Sequence, residues 1–454
     1  MKSNQAAALT VILSVLMLMT GCGSLFKGSG EGQTNAEAFV QNEAEGDGFI
    51  IRVGAWFIDD RSIMAQFKQN VERAYKNKYP KAKIQWEVTL GENYTNKLIT
   101  ELESDSAPDV IFNQYYQSFT ESGYLADLSS EAWTDKLIPQ VKKTMTYAAT
   151  ENRFRPYDSK VFAAPMGMGV RGYWYNKDLF RQLGLEVPKN LGDLLAASET
   201  IKQSGIIPIA LGFKDTWTVG QHFNNLLQSI GYGSDSNYGR SLHEGGKRLD
   251  GDEVQTTMQF FQTLKERQYI NKNALTIDWM QSAELFTSGQ AAIIMQGPWI
   301  GGTVEDNFAK GDKPFELGFF PVSDVNGYYD LLQFADQYIS VNAKTSLMQQ
   351  AKDLVAVILS PEVYEPYCKG NGYIPAFTDM KPVFGNPVMD EVIEYANRSD
   401  SHNRWELYVA TPAYNELLAG VTRIVSGVEF NQGDLRLAQI ELEKGKEWVN
   451  PPPE

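Results

Sequence analysis

Between residues 48 and 112, apolar runs of strand length alternate with stretches of helical spacing, and this alternation constrains the fold more than any other feature. GFIIRVGAW (48–56) is rich in β-branched and aromatic residues. The segment 62–78 repeats its apolar residues at helical intervals through Met64, Phe67, Val71 and Tyr75, and Pro80 stops it. AKIQWEVTL (82–90) predicts a second strand, YTNKLITELES (94–104) a second helix, and APDVIF (107–112) a short buried third strand. A β-α-β-α-β order of this kind argues for a parallel sheet with helices on both faces.

The same grammar resumes further on. Helices are predicted over 176–183, 192–204, 254–267, 282–288, 347–359, 361–370, 388–396 and 414–425, and strands over 206–211, 291–296, 318–322 and 337–343. At 454 residues, against a prior of roughly 150 per domain, two α/β lobes are expected, with the chain passing between them more than once. The expected division is 49–160 with 293–340 in an N-terminal lobe, and 161–292 with 341–450 in a C-terminal lobe.

The first 22 residues, MKSNQAAALTVILSVLMLMTGC, carry one lysine and then an apolar stretch over 6–19, too short for a spanning helix. Thr20 and Gly21 before Cys22 resemble the end of a lipoprotein signal peptide, although Met19 stands where leucine is commoner. The resemblance implies removal of 1–21 and a lipid on Cys22; an ordinary secretory signal is the other reading. Residues 22–48, rich in Gly, Ser, Asn, Gln and Glu, suit a flexible tether. Cys368 is the only other cysteine, so no intramolecular disulfide remains once Cys22 is lipidated. A net charge of −15 argues against nucleic acid and against anionic lipid surfaces, leaving the lipid as the only membrane contact.

Gly167-Met-Gly169-Val-Arg-Gly172 matches the dinucleotide pattern G-x-G-x-x-G, with Glu186 near the place of the ribose-binding acid. That pattern needs a helix N-terminus after its glycines to hold the pyrophosphate. Here Tyr173, Trp174 and Tyr175 follow at strand spacing, and the helix begins only at 176–177. The glycines therefore read as a strand or crossover in which small residues let two lobes approach, and no nucleotide or other cofactor is expected. His222, His243 and His402 are far apart and no thiol pair exists, which argues against a metal site. There is no G-x-S-x-G elbow. A pair of catalytic carboxylates stays open at this level.

Six segments occur in order: APDV (107–110), YWYNKDLF (173–180), LGLEVP (183–188), IKQSG (201–205), FTSGQAA (286–292) and GPW (297–299). Together they resemble the extracellular solute-binding proteins of family 1, the sugar-binding receptors of ABC importers, over essentially all of the chain from Phe49. The resemblance implies a periplasmic-binding-protein-like α/β fold: two doubly wound lobes joined by a multi-crossing hinge, with a ligand cleft between them. It further implies a non-enzymatic, monomeric protein, exported and held at the outer face of the cytoplasmic membrane or in the periplasm. Its partners would be a carbohydrate and the permease subunits of an ABC transporter, and the number of loop aromatics favours an oligosaccharide. A surface enzyme acting on glycans and a receptor reporting sugar to a membrane kinase are the alternatives.

A pyranose offers apolar C–H faces and a rim of hydroxyls, so its site wants flat aromatic platforms and planar hydrogen-bonding groups. Trp56, Phe57 and Asp60 follow the first strand, and Asn113, Gln114 and Tyr115 the third; both are carboxyl ends of strands, where open α/β sheets bind ligands. Asp215 and Trp217 follow the strand at 206–211, Trp279 precedes the helix at 282, and Trp299 follows the strand at 291–296. Asp336 and Gln337 precede the strand that begins at Tyr338. The resemblance implies sugar stacking near Trp299 and hydroxyl binding near 334–337. Arg171 is open between a ligand donor and an interlobe salt bridge, and Asp60 between a ligand contact and a helix cap. Trp86 and Trp174, inside strands, read as core.

Overall fold

The computed structural model describes residues 48–91, 93–114, 116–150, 153–156, 160–243, 245–405, 408–409, 411–445 and 449–450. The expected signal peptide, Cys22, the tether and Tyr115 lie outside them. In chain order the strands are β1 (Ile50–Ala55), β2 (Lys83–Val88), β3 (Val110–Asn113), a hairpin of β4 (Tyr147–Thr150) and β5 (Arg153–Pro156), then β6 (Gly167–Asn176), β7 (Ile207–Ala210) and β8 (Ala291–Gln296). They continue with β9 (Leu317–Phe320), β10 (Tyr329–Asp336), β11 (Tyr338–Val341) and β12 (Ser401–Trp405).

Two sheets organise the body. The smaller runs β11-β3-β1-β2, with β1 parallel to both β2 and β3 and β11 antiparallel to β3. The larger runs β12-β10-β6-β8-β7, with β9 also pairing β6. It is mixed rather than parallel, because β6 meets β8, β9 and β10 antiparallel. Helices cover both: Ser62–Lys78 buries Met64, Phe67, Val71, Ala74 and Tyr75 toward the smaller sheet, at the spacing its sequence prescribes. Trp174 lies fully buried in β6 and donates its indole N–H to the Gln296 carbonyl at 2.8 Å. Trp86, on the edge strand β2, packs against the first core beside Phe67 but is only half-buried, its indole N–H donated to Glu72 at 3.1 Å.

The packing of the cores corrects the expected division of the chain. The first core draws on residues 51–166 and 339–380 and also takes in Trp299 and Phe334, and two further cores draw on 170–332 and 388–438. Strands β8, β9 and β10, expected in the N-terminal lobe, belong to the larger sheet. The helices Met348–Ile358 and Pro361–Asn371, expected in the C-terminal lobe, pack on the first core through Leu354, Val355, Tyr364 and Tyr367. Periodicity identifies a strand but not its neighbour, which tertiary pairing alone decides.

Three crossings result, and the first two lie side by side with the segment around Ile374 that precedes the third. Ala164 exchanges backbone hydrogen bonds with Ile339 at 3.0 and 2.8 Å, Met166 donates to the Asp336 carbonyl at 2.9 Å, and Met168 and Ile374 pair at 2.8 Å in both directions. Gln337, the single residue between β10 and β11, has φ of 54°, a left-handed conformation that lets the chain leave one sheet and enter the other without a loop.

Candidate functional site

Three tryptophans from separate segments meet where the lobes face each other. The Asp215 carboxylate accepts the backbone N–H of Trp279 at 2.9 Å, which draws together the starts of the helices Thr216–Ser234 and Trp279–Thr287. The second helix is fixed by a capping box between Asp278 and Gln281. The Trp217 ring then lies 6.2 Å from Trp279 and 5.9 Å from Trp299, which follows β8, at interplanar angles of 64° and 65°. Edge-to-face packing of this kind leaves ring faces turned in different directions. Trp217 and Trp279 are half-buried, whereas Trp299 is 9% exposed. Its N–H donates to Gln296 at 3.2 Å, and its ring lies 6.0 Å from Phe334 and 6.3 Å from Tyr373.

Polar groups gather beside these rings. Asp336, at the end of β10, accepts the Tyr373 hydroxyl at 2.7 Å, the Gln337 backbone N–H at 2.9 Å and the Gln114 side-chain amide. Burial holds the Tyr373 and Tyr367 hydroxyls well above their usual range, so both remain protonated; the Tyr367 O–H donates to the Gln337 side-chain carbonyl. Arg171 lies 4.3 Å over the Phe334 ring and donates to Gln221, which itself donates to the Met295 carbonyl at 3.1 Å. From the first lobe, Arg61 sits 5.5 Å over the Trp279 ring, aimed by Asp59 at 2.9 Å and Asn371 at 3.3 Å. Two guanidinium groups, a carboxylate and flat aromatic surfaces thus converge from both lobes, a set suited to holding a polar ligand with apolar faces.

Of the residues singled out in the sequence, the structure brings together Trp217, Trp279, Trp299, Asp215, Arg171, Asp336, Gln337 and Gln114. Trp56 stands apart on the first lobe, half-buried beside Phe57 at 5.4 Å and Tyr94 at 5.7 Å. Phe57 is drawn inward, its ring edge-on to Phe112 at 4.9 Å within the first core, because the chain turns back after β1 to start its helix. Asn113 is likewise buried, donating to the Ser340 hydroxyl at 3.1 Å across the β3–β11 pair. Asp60 is exposed and does not cap the helix at Ser62, which has no cap from its own N-cap residue.

Residues 59–365 match the profile of the bacterial extracellular solute-binding proteins. The chain belongs to this family. It is 24% identical over 377 residues to an ABC-transporter extracellular-binding protein of Pyrococcus horikoshii, covering 82% of this chain and 81% of that one. It is 24% identical over 315 residues to the multiple sugar-binding protein of Streptococcus mutans, covering 68% and 71%. Among solved structures it resembles a chitin oligosaccharide binding protein (TM-score 0.73, 19% identity, 87% of this chain and 98% of that one). It also resembles a sugar transporter protein of Bacillus licheniformis in complex with stachyose (TM-score 0.69, 18% identity, 86% and 98%). These likenesses establish the two-lobed α/β fold, and family membership makes the chain a solute-binding protein rather than an enzyme and places it outside the cytoplasm. Among the described residues no helix is long and apolar enough to cross a membrane.

For a solute-binding protein, the contributors that sequence reasoning passed over are Tyr373, Gln221 and Arg61. Tyr373 reaches Asp336 because the segment around Ile374 pairs with the start of β6. Gln221 sits one turn beyond Trp217 on a helix that gave no periodic signal. Arg61 had a readable signal, since it follows directly on the loop after β1.

Proposed function

We propose that this protein captures a carbohydrate, an oligosaccharide, between its two lobes and hands it to the permease of an ABC importer, working as a monomer tethered to the membrane through a lipid on Cys22. The observation that carries the reading is the meeting of Trp217, Trp279 and Trp299 beside Asp336 and the two arginines. Indole faces suit the apolar faces of sugar rings, while Asp336 and Gln114 suit their hydroxyls. The sugar-binding names of the relative in Streptococcus mutans and of the stachyose complex point the same way.

The mechanism follows from the geometry. Trp217, Trp279 and Trp299 ride on the second lobe, Arg61 and Gln114 on the first, and Asp336 at the crossing between them. A ligand that touches all of them binds the closed arrangement better than the open one, and that difference in affinity drives closure about the three crossings. The closed form is the one a permease would receive.

The test is thermal unfolding against a panel of raffinose, stachyose, maltotriose, xylotriose and chitobiose. A sugar present at 100 times its dissociation constant adds about 2.7 kcal/mol of stability. Trp279→Ala abolishes that shift while leaving the sugar-free protein folded, because the ring is half-buried. Trp299→Ala is the poorer probe, since truncating a buried tryptophan costs about 3–5 kcal/mol by itself. Normal sugar binding by the Trp279 variant would refute the stacking assignment.

A further inference from the structure

The helix Ser62–Lys78 has no cap of its own: Arg61 stands at the N-cap and makes no side-chain capping bond. The cap comes from the other lobe. Asp306, on the helix Ile300–Lys310, accepts the Ser62 backbone N–H at 3.0 Å through one carboxylate oxygen and the Ser62 hydroxyl at 2.7 Å through the other. That helix packs with the helix Trp279–Thr287 in a core shared by Val304 and Phe286. Two adjoining second-lobe helices therefore grip two consecutive first-lobe residues: one presents Trp279 beneath the Arg61 guanidinium, and the other presents Asp306 to Ser62.

We propose that Asp306 is a positioning residue: by capping the Ser62 helix from the second lobe, it holds Arg61 over the Trp279 ring and keeps the two lobes engaged. Asp59 and Asn371 aim the guanidinium within the first lobe, but neither reaches the second, so they cannot supply the tie between lobes. A carboxylate suits this place because a helix N-terminus carries unpaired N–H groups and a positive dipole end. The close approach is permitted by small residues: a Cβ on Gly302 would lie less than 3.0 Å from the Gly370 carbonyl, and one on Gly370 equally close to Ile63.

The proposal rests on the reading of this cleft as the place where the lobes meet, but its test uses no sugar, so its failure and that of the carbohydrate assignment are distinguishable. The full chain is compared with Asp306→Ala and Asp306→Asn by amide hydrogen exchange at Ser62, by acrylamide quenching of tryptophan fluorescence and by the radius of gyration in solution. Loss of an N-cap acceptor converts to about a 3- to 30-fold change in an equilibrium. Asp306→Ala is accordingly expected to speed exchange at Ser62 by about that factor, to expose Trp279 to the quencher and to raise the radius of gyration. Asp306→Asn, which keeps one acceptor, falls between. Should Asp306→Ala melt too readily to measure, Ser62→Ala removes the hydroxyl bond alone and is expected to shift quenching and radius in the same direction. Faster exchange with unchanged quenching and radius would make the cap a local structural contact and overturn the proposal.

Discussion

His222 sits on the helix that carries Trp217 and the buried Gln221, and its protonation offers a quantitative test of that region. The ring is 5% exposed, edge-on to Phe213 at 5.3 Å. Burial, with the Arg171 cation nearby as a second cause, pushes its pKa down to about 3 from an ordinary value near 6.5. Between those values the unfolded chain binds a proton that the folded chain does not, so stability falls as pH drops through that window and is unaffected above it. Integrating the linkage gives a loss of about 2 kcal/mol at pH 5 and about 3 kcal/mol at pH 4 relative to pH 7. The assay is denaturant unfolding of the wild type and His222→Gln across pH 4–7. Subtraction removes the carboxylates common to both, so the baseline cost of the substitution does not matter. The stability difference between the two proteins should change by about 2 kcal/mol from pH 7 to pH 5, in the direction that favours the variant in acid. A difference that stays constant over that range would refute the burial argument, and with it the dry packing behind Arg171.

Two further outcomes follow from the same contacts. Gly169→Ala places a methyl group less than 3.0 Å from the Phe334 ring, which has Trp299 on one side and Arg171 on the other; overpacking of this kind costs about 1–3 kcal/mol, to be read as a lower melting temperature that Phe334→Leu partly restores. Cys22→Ala should release the protein from the membrane fraction into the soluble exported fraction with its sugar-induced thermal shift unchanged, as checked by fractionation and by mass analysis of the N-terminal peptide for a lipid adduct.

The order of strands and helices was readable wherever one face of an element meets solvent. The helix Ser62–Lys78 and the strand Ala291–Gln296 fall where their patterns put them, because amphipathic spacing in one and an unbroken apolar run in the other leave little choice. The helix Thr216–Ser234 was not readable: it is buried without a break from Thr218 to Ser229 and includes Gly220, Gly231 and Gly233, so it has neither a polar face nor strong helix propensity. Its invisibility hid Gln221 as a partner for Arg171. Strand order was equally silent, since nothing local tells β8 and β10 that they will join β6 rather than β1. The cleft tryptophans stood out because they follow strand ends or begin helices, positions where large aromatic residues are not needed for a core. Phe57 and Asn113 occupy the same kind of position yet turn inward, a choice made by the neighbouring Phe112 and Ser340.

The glycine pattern in β6 shows how the hinge and the cleft are made from one strand. Each of its three glycines gives up a side chain to an aromatic ring from another segment: Gly167 to Tyr373, Gly169 to Phe334 and Gly172 to Phe319, all at distances a Cβ would bring below 3.0 Å. Tyr373 belongs to the first-core segment that precedes the third crossing and Phe334 to the strand that leads into the second, while β6 itself continues the first. The missing side chains at Gly167 and Gly169 therefore let these segments lie against one another, and the two rings that fill that space, Tyr373 and Phe334, are those that flank Trp299 and, through the Tyr373 hydroxyl, orient Asp336. On the proposed reading, a ligand held at Asp336 and Trp299 would press on Phe334 and Tyr373, the same rings that pack against β6. Binding and lobe movement would then be coupled by direct contact, with no relay between a distant site and the hinge.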